Sequence, residues 1–142
     1  MEKRLLVIQE HNAKRAGLHW DIRFEDYGVL DDYLAIRIPD TTEPYGKSGE
    51  PGKVLRSFVI PKHEFPLKGK FRLVIKTEDH PWDYRYFEGT IKFGYGEGEV
   101  KLLFNDYVNV STFTDDKITF EFKENWYTIF KTDKNYLITQ KQ

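Results

Sequence analysis

The stretch His19-Trp-Asp-Ile-Arg-Phe-Glu25 alternates polar and apolar side chains without a break. Because the side chains of a β-strand point to opposite faces in turn, the three apolar residues fall on one face and the four polar residues on the other. This stretch therefore predicts a strand with one face in a hydrophobic core. Its other face gathers a histidine, two carboxylates and an arginine.

The rest of the chain repeats this two-residue pattern in short runs separated by Gly, Pro, Asn and Asp, which is typical of β-strands. Further strands are predicted at 4–9, 33–38, 57–60, 71–76, 99–104, 118–122, 126–131 and 136–139. Short helical turns are predicted only at 12–16 and around 80–88. The pattern predicts a mainly all-β fold, a closed or nearly closed β-barrel of about eight strands with small flanking helical turns, because closure removes exposed strand edges.

The composition fits one domain that spans residues 1–142. Apolar residues make up 39% of the chain, enough for a core, and the 32% that are charged are spread along it rather than gathered in tails. The absence of cysteine excludes thiol nucleophiles and thiolate metal sites. No apolar run is long enough for a signal peptide or a membrane span, so we expect a cytoplasmic protein with no membrane partner. We also expect a monomer.

The net charge limits how this chain can contact nucleic acid. It carries 22 Lys and Arg against 23 Asp and Glu, a net charge of −1, which excludes binding by bulk electrostatics. Residues 1–76 hold 14 of the basic residues against 11 acidic ones. Any contact with nucleic acid is therefore expected to be local and to use the first half of the chain.

Two of the four histidines, His11 and His19, lie close to Asp21 in the sequence. On a strand, His19 and Asp21 project from the same face about 7 Å apart, and His11 joins them if the turn over 12–18 folds back. Two imidazoles and a carboxylate suit a borderline divalent ion such as Mn²⁺ or Zn²⁺, with open positions for water and substrate. The alternative is a polar strand face with solvated histidines.

Two further groups of polar residues are compatible with phosphoester chemistry. Arg23 continues the same strand face, and a cation beside a metal stabilises the charge that develops on phosphate oxygens. The alternative for Arg23 is an exposed strand arginine that pairs with Glu25 or another carboxylate. In the polar segment 77–84, His80 and Tyr84 share a face if the turn is helical, and could present two donors to a phosphate; the alternative is a capped surface helix.

Three ordered blocks of the sequence resemble one known family. The first is Gln9-Glu-His-Asn-Ala-Lys-Arg15 followed by His19-Trp-Asp-Ile-Arg-Phe-Glu25. The second runs from Pro61-Lys62 through Arg72 to Glu78-Asp-His-Pro-Trp-Asp-Tyr84 and Phe87-Glu-Gly89, and the third is Tyr95-Gly-Glu-Gly98. Over about residues 9–139 the chain resembles the 3′-phosphoesterase domain of bacterial and archaeal DNA ligase D.

The resemblance implies a β-barrel hydrolase that removes 3′-phosphates and 3′-terminal ribonucleotides from DNA or RNA primer ends, leaving a 3′-OH for repair. It implies Mn²⁺ as the cofactor, with Zn²⁺ or Co²⁺ as alternatives. By position, it assigns metal ligation to His11, His19 and Asp21, catalysis to His80, Arg72 and Arg23, and phosphate or substrate binding to Gln9, Lys62 and Tyr84.

The chain departs from the family pattern in three places. Two extra residues separate His11 from His19, residues 31–56 look like an insertion, and the family's N-terminal arm has no counterpart ahead of Gln9. The insertion contains a stretch, 39–53, with three Pro and three Gly, which disfavours regular structure. We expect the insertion to shape substrate access rather than hold the fold, and expect Lys47, Lys53 and Arg56 to touch phosphates of a bound strand. The alternative is a solvated surface segment with no role in substrate binding.

The partners follow from the same resemblance. We expect the chain to act on DNA or RNA–DNA 3′ ends, with DNA ligase and polymerase acting in trans. The rival interpretation is a non-catalytic β-barrel module that binds nucleic-acid ends. A third interpretation is a β domain with no role in nucleic-acid chemistry.

Overall fold

The computed structural model describes residues 2–29, 51–92, 94 and 96–141. Its strands are β1 (Glu2–Ala13), β2 (Gly17–Val29), β3 (Pro51–Ile60), β4 (Phe71–Lys76), β5 (His80–Pro81), β6 (Gly89–Ile91), β7 (Gly98–Phe113), β8 (Lys117–Phe122), β9 (Asn125–Lys131) and β10 (Tyr136–Gln140). A 3₁₀ helix, Trp82–Tyr86, lies between β5 and β6. No helix in this described part is long and apolar enough to cross a membrane.

Eight of these strands close into an antiparallel barrel. Their order around the wall is β1-β2-β3-β4-β10-β9-β8-β7, and β7 pairs with β1 to complete the circle. The two short strands lie outside the circle: β5 pairs with β3, and β6 pairs with β7. The predicted closed barrel with small helical turns is confirmed.

The barrel interior is filled by alternate residues of every wall strand. The two-residue alternation of β2 places Ile22 and Phe24 inside, where Phe24 packs against Phe58 and Phe120. Phe65, in the loop between β3 and β4, contacts Trp20 and Tyr127 at one end of this core. The split of β2 into an apolar and a polar face is therefore as the sequence predicts.

A second, smaller core lies outside the barrel wall. It consists of Leu55 on β3, Val100 on β7, and Tyr84 and Phe87 in and after the 3₁₀ helix. These side chains are buried because segment 80–91 folds over the outer faces of β1, β3 and β7. Part of the outer wall of the barrel is therefore buried like the interior. The polar face of β2 lies beside this buried region.

Two expectations about the chain's irregular segments need correction. Residues 14–16 form a tight turn between β1 and β2, and not a helical turn, because the two strands pair directly up to Ala13 and Gly17. The proposed insertion 31–56 is wrong at its C-terminal end, because residues 51–56 belong to β3 and Val54 and Leu55 are buried. The predicted strand at 33–38 lies outside the described residues.

Two of the three basic residues expected to touch phosphates form ion pairs within the protein. Lys53 lies 3.0 Å from Glu25 and Arg56 lies 2.9 Å from Asp26, so both are paired with carboxylates of β2. These pairs argue against the expectation that the two side chains touch phosphates. Lys47 lies outside the described residues.

Candidate functional site

The register of the β1–β2 hairpin gathers the polar residues of both strands on one outer face. His11 pairs with His19, and Gln9 pairs with Asp21, so these four side chains form two adjacent cross-strand rows. Arg23 lies next along β2, on the same face. The extra residues between the two histidines are accommodated in the 14–16 turn and do not disturb this register.

Asp21 is the centre of this face. One carboxylate oxygen lies 3.5 Å from His19 Nε2, and the other lies 3.5 Å from both His11 Nδ1 and Arg23 Nη2. The three side chains His11, His19 and Asp21 are buried, and their ligand atoms all lie within 4.8 Å of one another. They are the one group of this kind found among the described residues.

Backbone carbonyls orient both imidazoles toward Asp21. His11 Nε2 lies 2.7 Å from the carbonyl oxygen of Gly96, and His19 Nδ1 lies 3.1 Å from that of Gly17. When these nitrogens donate to the carbonyls, the other nitrogen of each ring is left unprotonated and faces the carboxylate. Metal-binding histidines are held in this way, so the donor set and its orientation fit a divalent ion.

The electrostatics of the cluster favour an ionised carboxylate. Burial by itself raises the pKa of Asp21, but the charge of Arg23, and the two imidazoles when the nitrogens that face the carboxylate carry a proton, lower it well below its usual range. Burial also lowers the pKa of His19, but Asp21 and the Gly17 carbonyl outweigh that effect and raise it above its ordinary value. Without a metal, a proton on His19 therefore partly takes the place of the cation.

Arg23 is held rigidly beside the cluster. Its Nε donates to Gln9 Oε1 at 2.7 Å, and its Nη1 donates to Ser57 Oγ at 2.8 Å. Only 3% of Arg23 is exposed, and its guanidinium lies 4.9 Å from the centre of the Tyr84 ring. A buried arginine with one carboxylate at 3.5 Å leaves positive charge available to a bound anion.

Gln9 connects the barrel wall to the segment that covers it. Its side chain is fully buried, and Nε2 donates to the carbonyl oxygens of Tyr84 and Phe87 at 3.2 and 3.1 Å. With Oε1 accepting from Arg23, Gln9 fixes both the arginine and the end of the 3₁₀ helix. Its role is therefore to position its neighbours.

His80 and Tyr84 lie together above Arg23, with ring centroids 5.0 Å apart. Burial, followed by the charge of Arg23, lowers the pKa of His80 to about 3, so the ring is neutral at physiological pH. His80 Nδ1 lies 2.9 Å from the carbonyl oxygen of Glu78. When Nδ1 donates to that carbonyl, Nε2 is a proton acceptor.

The structure brings seven of the nine predicted site residues into one network and leaves two outside it. Lys62 is exposed in the turn after β3, with no hydrogen bond or ion pair to the part of the chain that the structure describes. Arg72 on β4 lies directly opposite Ile138 of β10 in the sheet, and because Ile138 is a core residue, Arg72 also faces the barrel interior. Its Nη2 lies 3.4 Å from Glu64. Both residues are at the barrel end that carries the 14–16 turn.

Sequence reasoning missed the groups that orient the site. Ser57, a fully buried acceptor for Arg23, gave no signal because its partner lies on another strand. Gly98 has a φ of +149°, and a Cβ there would lie 2.2 Å from the carbonyl oxygen of Asn12, so only glycine lets β7 pair closely with β1 beside His11. The carbonyls of Gly17 and Gly96 are backbone groups that no side-chain motif reveals.

Comparison with known proteins finds similarity to the multifunctional non-homologous end joining protein LigD. LigD of Mycolicibacterium smegmatis is 36% identical over 97 residues, 68% of this chain. LigD of Mycobacterium tuberculosis strain H37Rv is 34% identical over 117 residues, 81% of this chain, and that of Pseudomonas aeruginosa is 33% identical over 94 residues, 66% of it. The chain is thus homologous to part of LigD.

The similarity concerns only a small part of these relatives. The matched region is 9% of the M. smegmatis protein, 12% of the M. tuberculosis protein and 8% of the P. aeruginosa protein. The chain therefore spans about a tenth of the length of these relatives. No protein-family profile matches the chain.

Proposed function

We propose that this protein is a metal-dependent phosphoesterase that removes 3′-phosphates and 3′-terminal ribonucleotides from the ends of DNA or RNA primer strands. The observation that carries the proposal is the contact of the His11, His19 and Asp21 cluster with the buried guanidinium of Arg23. A divalent ion beside a fixed cation is the arrangement that a phosphoester requires, since both neutralise its oxygens in the transition state.

His11 Nδ1, His19 Nε2 and Asp21 would hold the ion. Mn²⁺ suits two imidazoles and a carboxylate with open positions, and Zn²⁺ or Co²⁺ are alternatives for the same donors. The bound ion would polarise the phosphoryl group and supply a nucleophilic water near neutral pH. The backbone carbonyls of Gly17 and Gly96 keep both rings in the ligating orientation.

The remaining residues of the network bind and orient the ester. Arg23 pairs with phosphate oxygens, and Gln9 and Ser57 hold it in position for that contact. Neutral His80 presents Nε2 as a proton acceptor above Arg23, and Tyr84 places the His80 ring. Lys62, exposed and outside the network, contacts the nucleic acid farther from the scissile bond, whereas Arg72 faces the barrel interior and has no part at the ester in this proposal.

The nature of the substrate rests on the relatives. LigD is named for non-homologous end joining, in which the reacting species are DNA ends, so DNA or RNA–DNA 3′ ends are the substrates we propose. The product, a 3′-OH, is what a polymerase or a ligase needs, and those partners act in trans. The small net charge favours terminal phosphoesters over internal ones, because it offers little affinity for duplex backbone.

A 5′-labelled primer with a 3′-phosphate, or with one 3′ ribonucleotide, assayed as a single strand and annealed to a template, tests this function. With Mn²⁺ we expect conversion to a 3′-OH end that a polymerase extends, and no conversion with chelator. His19→Ala removes one of the proposed metal ligands. Its control is His63→Asn, because His63 is exposed and asparagine tolerates its φ of 45°. His63→Asn should keep full activity. Binding of the end without conversion by the wild-type protein would assign the barrel to the non-catalytic alternative.

A further inference from the structure

We propose that the outer face of β4 binds the nucleotides that precede the 3′ end, as a single strand whose bases stack on Phe71. The inference rests on the proposed function and deepens it by locating the surface that holds the rest of the substrate. It is carried by the exposure of apolar side chains on β4, by the charge around them, and by their position relative to Asp21.

The outer face of β4 is apolar, although it faces solvent. Phe71, Leu73 and Ile75 are 54%, 43% and 44% exposed, and they alternate with Val74, which lies in the barrel core. The strip widens across neighbouring strands, because Leu73 pairs with Leu137, and the ring of Phe130 lies 6.2 Å from that of Phe71. The solvent face of an antiparallel sheet is ordinarily polar, so a contiguous apolar strip indicates a binding surface.

The charge around this strip is positive. Residues 61–76 contain five Lys or Arg and one acidic residue, whereas the whole chain has 22 against 23. Two of the five do not add charge to this face, because Arg72 faces the barrel interior and Lys76 pairs with Asp79 at 3.2 Å. Lys68 and Lys70, which directly precede β4, are exposed and have no ion-pair partner among the residues that the structure describes. Exposed aromatic rings beside free cations are the features with which proteins bind single-stranded nucleic acid without regard to sequence.

The strip is continuous with the metal cluster along the barrel wall. Asp21 on β2 pairs with Val59 on β3, and Val59 pairs with Ile75 on β4, so the three residues form one lateral row. Because neighbouring strands lie about 4.8 Å apart, Ile75 is about 10 Å from Asp21, and Phe71 lies about 13 Å further along β4. A strand whose 3′ ester reaches Asp21 therefore meets Phe71 within a few nucleotides.

The rim of the strip favours nucleic acid over a protein partner. The acidic residue of segment 61–76, Glu64, lies 3.4 Å from Arg72, so it offers little to a basic partner. A polyanion with flat apolar bases complements both the lysines and the exposed rings. A protein partner would use the apolar area alone and leave the lysines without a role.

Binding of a product strand tests the inference independently of catalysis. The probe is a 5′-fluorescent oligothymidylate of two, four or eight nucleotides ending in a 3′-OH, titrated with protein and Mn²⁺ and followed by anisotropy. The wild-type protein should bind the eight-nucleotide strand more tightly than the two-nucleotide strand. Phe71→Ala should weaken binding of the longer strand by about tenfold, because one stacked base is lost, and Phe71→Trp should retain it.

Tyr107→Ala is the control, because Tyr107 on β7 is 53% exposed, a value close to that of Phe71. It should bind like the wild type, and thermal unfolding should show that all variants fold. Equal affinity of wild type and Phe71→Ala for the eight-nucleotide strand would overturn the inference. So would a wild-type dimer that Phe71→Ala converts to a monomer without a change in affinity, since the strip would then serve contact between copies.

The two proposals can fail separately. If the wild-type protein hydrolyses no 3′ ester but loses affinity through Phe71→Ala, the proposed function fails and the binding surface stands. If it hydrolyses 3′ esters and Phe71→Ala binds normally, the function stands and the β4 surface is wrong.

Discussion

Two charged clusters lie on β1, β2 and β3, and they differ in how completely their charges are matched. The metal cluster, His11, His19, Asp21 and Arg23, occupies the outer face of β1 and β2 beside segment 80–91 and the carbonyl group of Gly96. The mouth cluster lies toward the far end of the same strands, around the ring of Phe113. Its charged members are Arg4, Asp26 and Arg56.

The mouth cluster has the geometry of a structural ion pair. Arg56 donates to one oxygen of Asp26 through Nη2 at 2.9 Å and Nε at 3.0 Å. The guanidinium groups of Arg4 and Arg56 lie 3.6 and 4.2 Å from the ring centre of Phe113. Nη1 of Arg4 and Nη1 of Arg56 donate to the backbone carbonyls of Glu25 and Thr114 at 2.9 and 2.7 Å. The donors of both arginines therefore have acceptors within the protein at ordinary hydrogen-bond distances.

In the metal cluster, by contrast, Asp21 has three cationic or imidazole neighbours, and each lies 3.5 Å away. Charge-assisted hydrogen bonds are about 2.7–2.9 Å long, so these contacts leave the carboxylate incompletely satisfied. The protein holds the donors rigidly, through Gln9, Ser57 and two backbone carbonyls, at a spacing that a bound cation would complete. The mouth cluster is therefore satisfied within the protein, whereas the metal cluster is arranged to bind a ligand.

Asp21→Asn and Asp26→Asn are matched changes on one strand. Asp21→Asn should reduce 3′-end hydrolysis by about 10³-fold, because it weakens binding of the ion and removes the negative charge beside Arg23. Asp26→Asn should leave kcat unchanged, because the mouth cluster is remote from the ester. Steady-state kinetics on a 3′-phosphorylated primer checks both, and equal losses in the two variants would erase the distinction between the clusters.

The two arginines should differ in their contribution to stability. Arg23→Met should lower the free energy of unfolding by about 3 kcal/mol, because it leaves Gln9 Oε1 and Asp21 buried without their cation. Arg56→Met should cost about 1 kcal/mol, because Asp26 retains Arg4 and partial access to water. Urea unfolding measures both changes. A larger loss for Arg56→Met would show that the mouth cluster contributes more to the free energy of unfolding than the metal cluster.

The pH dependence of Mn²⁺ binding should come from the metal cluster. The pKa of His19 is raised, so its proton stabilises the metal-free protein at low pH, and this contribution is lost as the pH rises through that pKa. The pKa of Asp21 is lowered, so its contribution is present at neutral pH and is lost only as the pH falls through that lowered value. Below the pKa of His19, Mn²⁺ must displace a proton.

Affinity for Mn²⁺ should therefore fall by about tenfold per pH unit below the pKa of His19. Calorimetric titration in two buffers of different ionisation enthalpy measures the proton release directly. Arg56→Met should show the wild-type pH profile. Proton-independent binding of Mn²⁺ would mean that His19 is not a ligand.

Gly96→Ala should have the smallest effect. A Cβ at residue 96 would lie 3.4 Å from His11 Cε1, at the edge of ordinary van der Waals contact, so the ring has to move by only a few tenths of an ångström. We expect affinity for Mn²⁺ to fall about twofold and stability to change by less than about 0.5 kcal/mol. A loss as large as that of Asp21→Asn would show that the Gly96 turn, and not the hairpin, sets the geometry.

Local pattern predicted the parts of the fold that depend on alternation. The strand at 19–25 and the one at 71–76 follow from side-chain periodicity, and the first also places His19, Asp21 and Arg23 on one face. The second half of β7 was missed, because Asn105, Asp106 and Asn109 disfavour strands locally. Pairing with β1 along its whole length overrides that preference.

The grouping of the candidate ligands was predictable, and the groups that surround them were not. Residue types and spacing along one hairpin indicated that His11, His19 and Asp21 lie together, since strand neighbours stay neighbours after folding. Ser57 and the Gly96 carbonyl reach the site through other strands and turns, so no local signal marks them. The interior position of Arg72 likewise depends on which face of β4 lies inside the barrel, which the alternation alone does not say.

We propose that His11, His19 and Asp21 bind one divalent ion that hydrolysis requires. Titration of the metal-free protein with Mn²⁺, following the electron paramagnetic resonance signal of free Mn²⁺, tests it most directly. We predict one equivalent bound by the wild-type protein and by His63→Asn, none by His19→Ala, and 3′-end hydrolysis that rises in proportion to occupancy. Stoichiometric binding by His19→Ala, or full hydrolysis by the wild-type protein in chelator, would contradict the account.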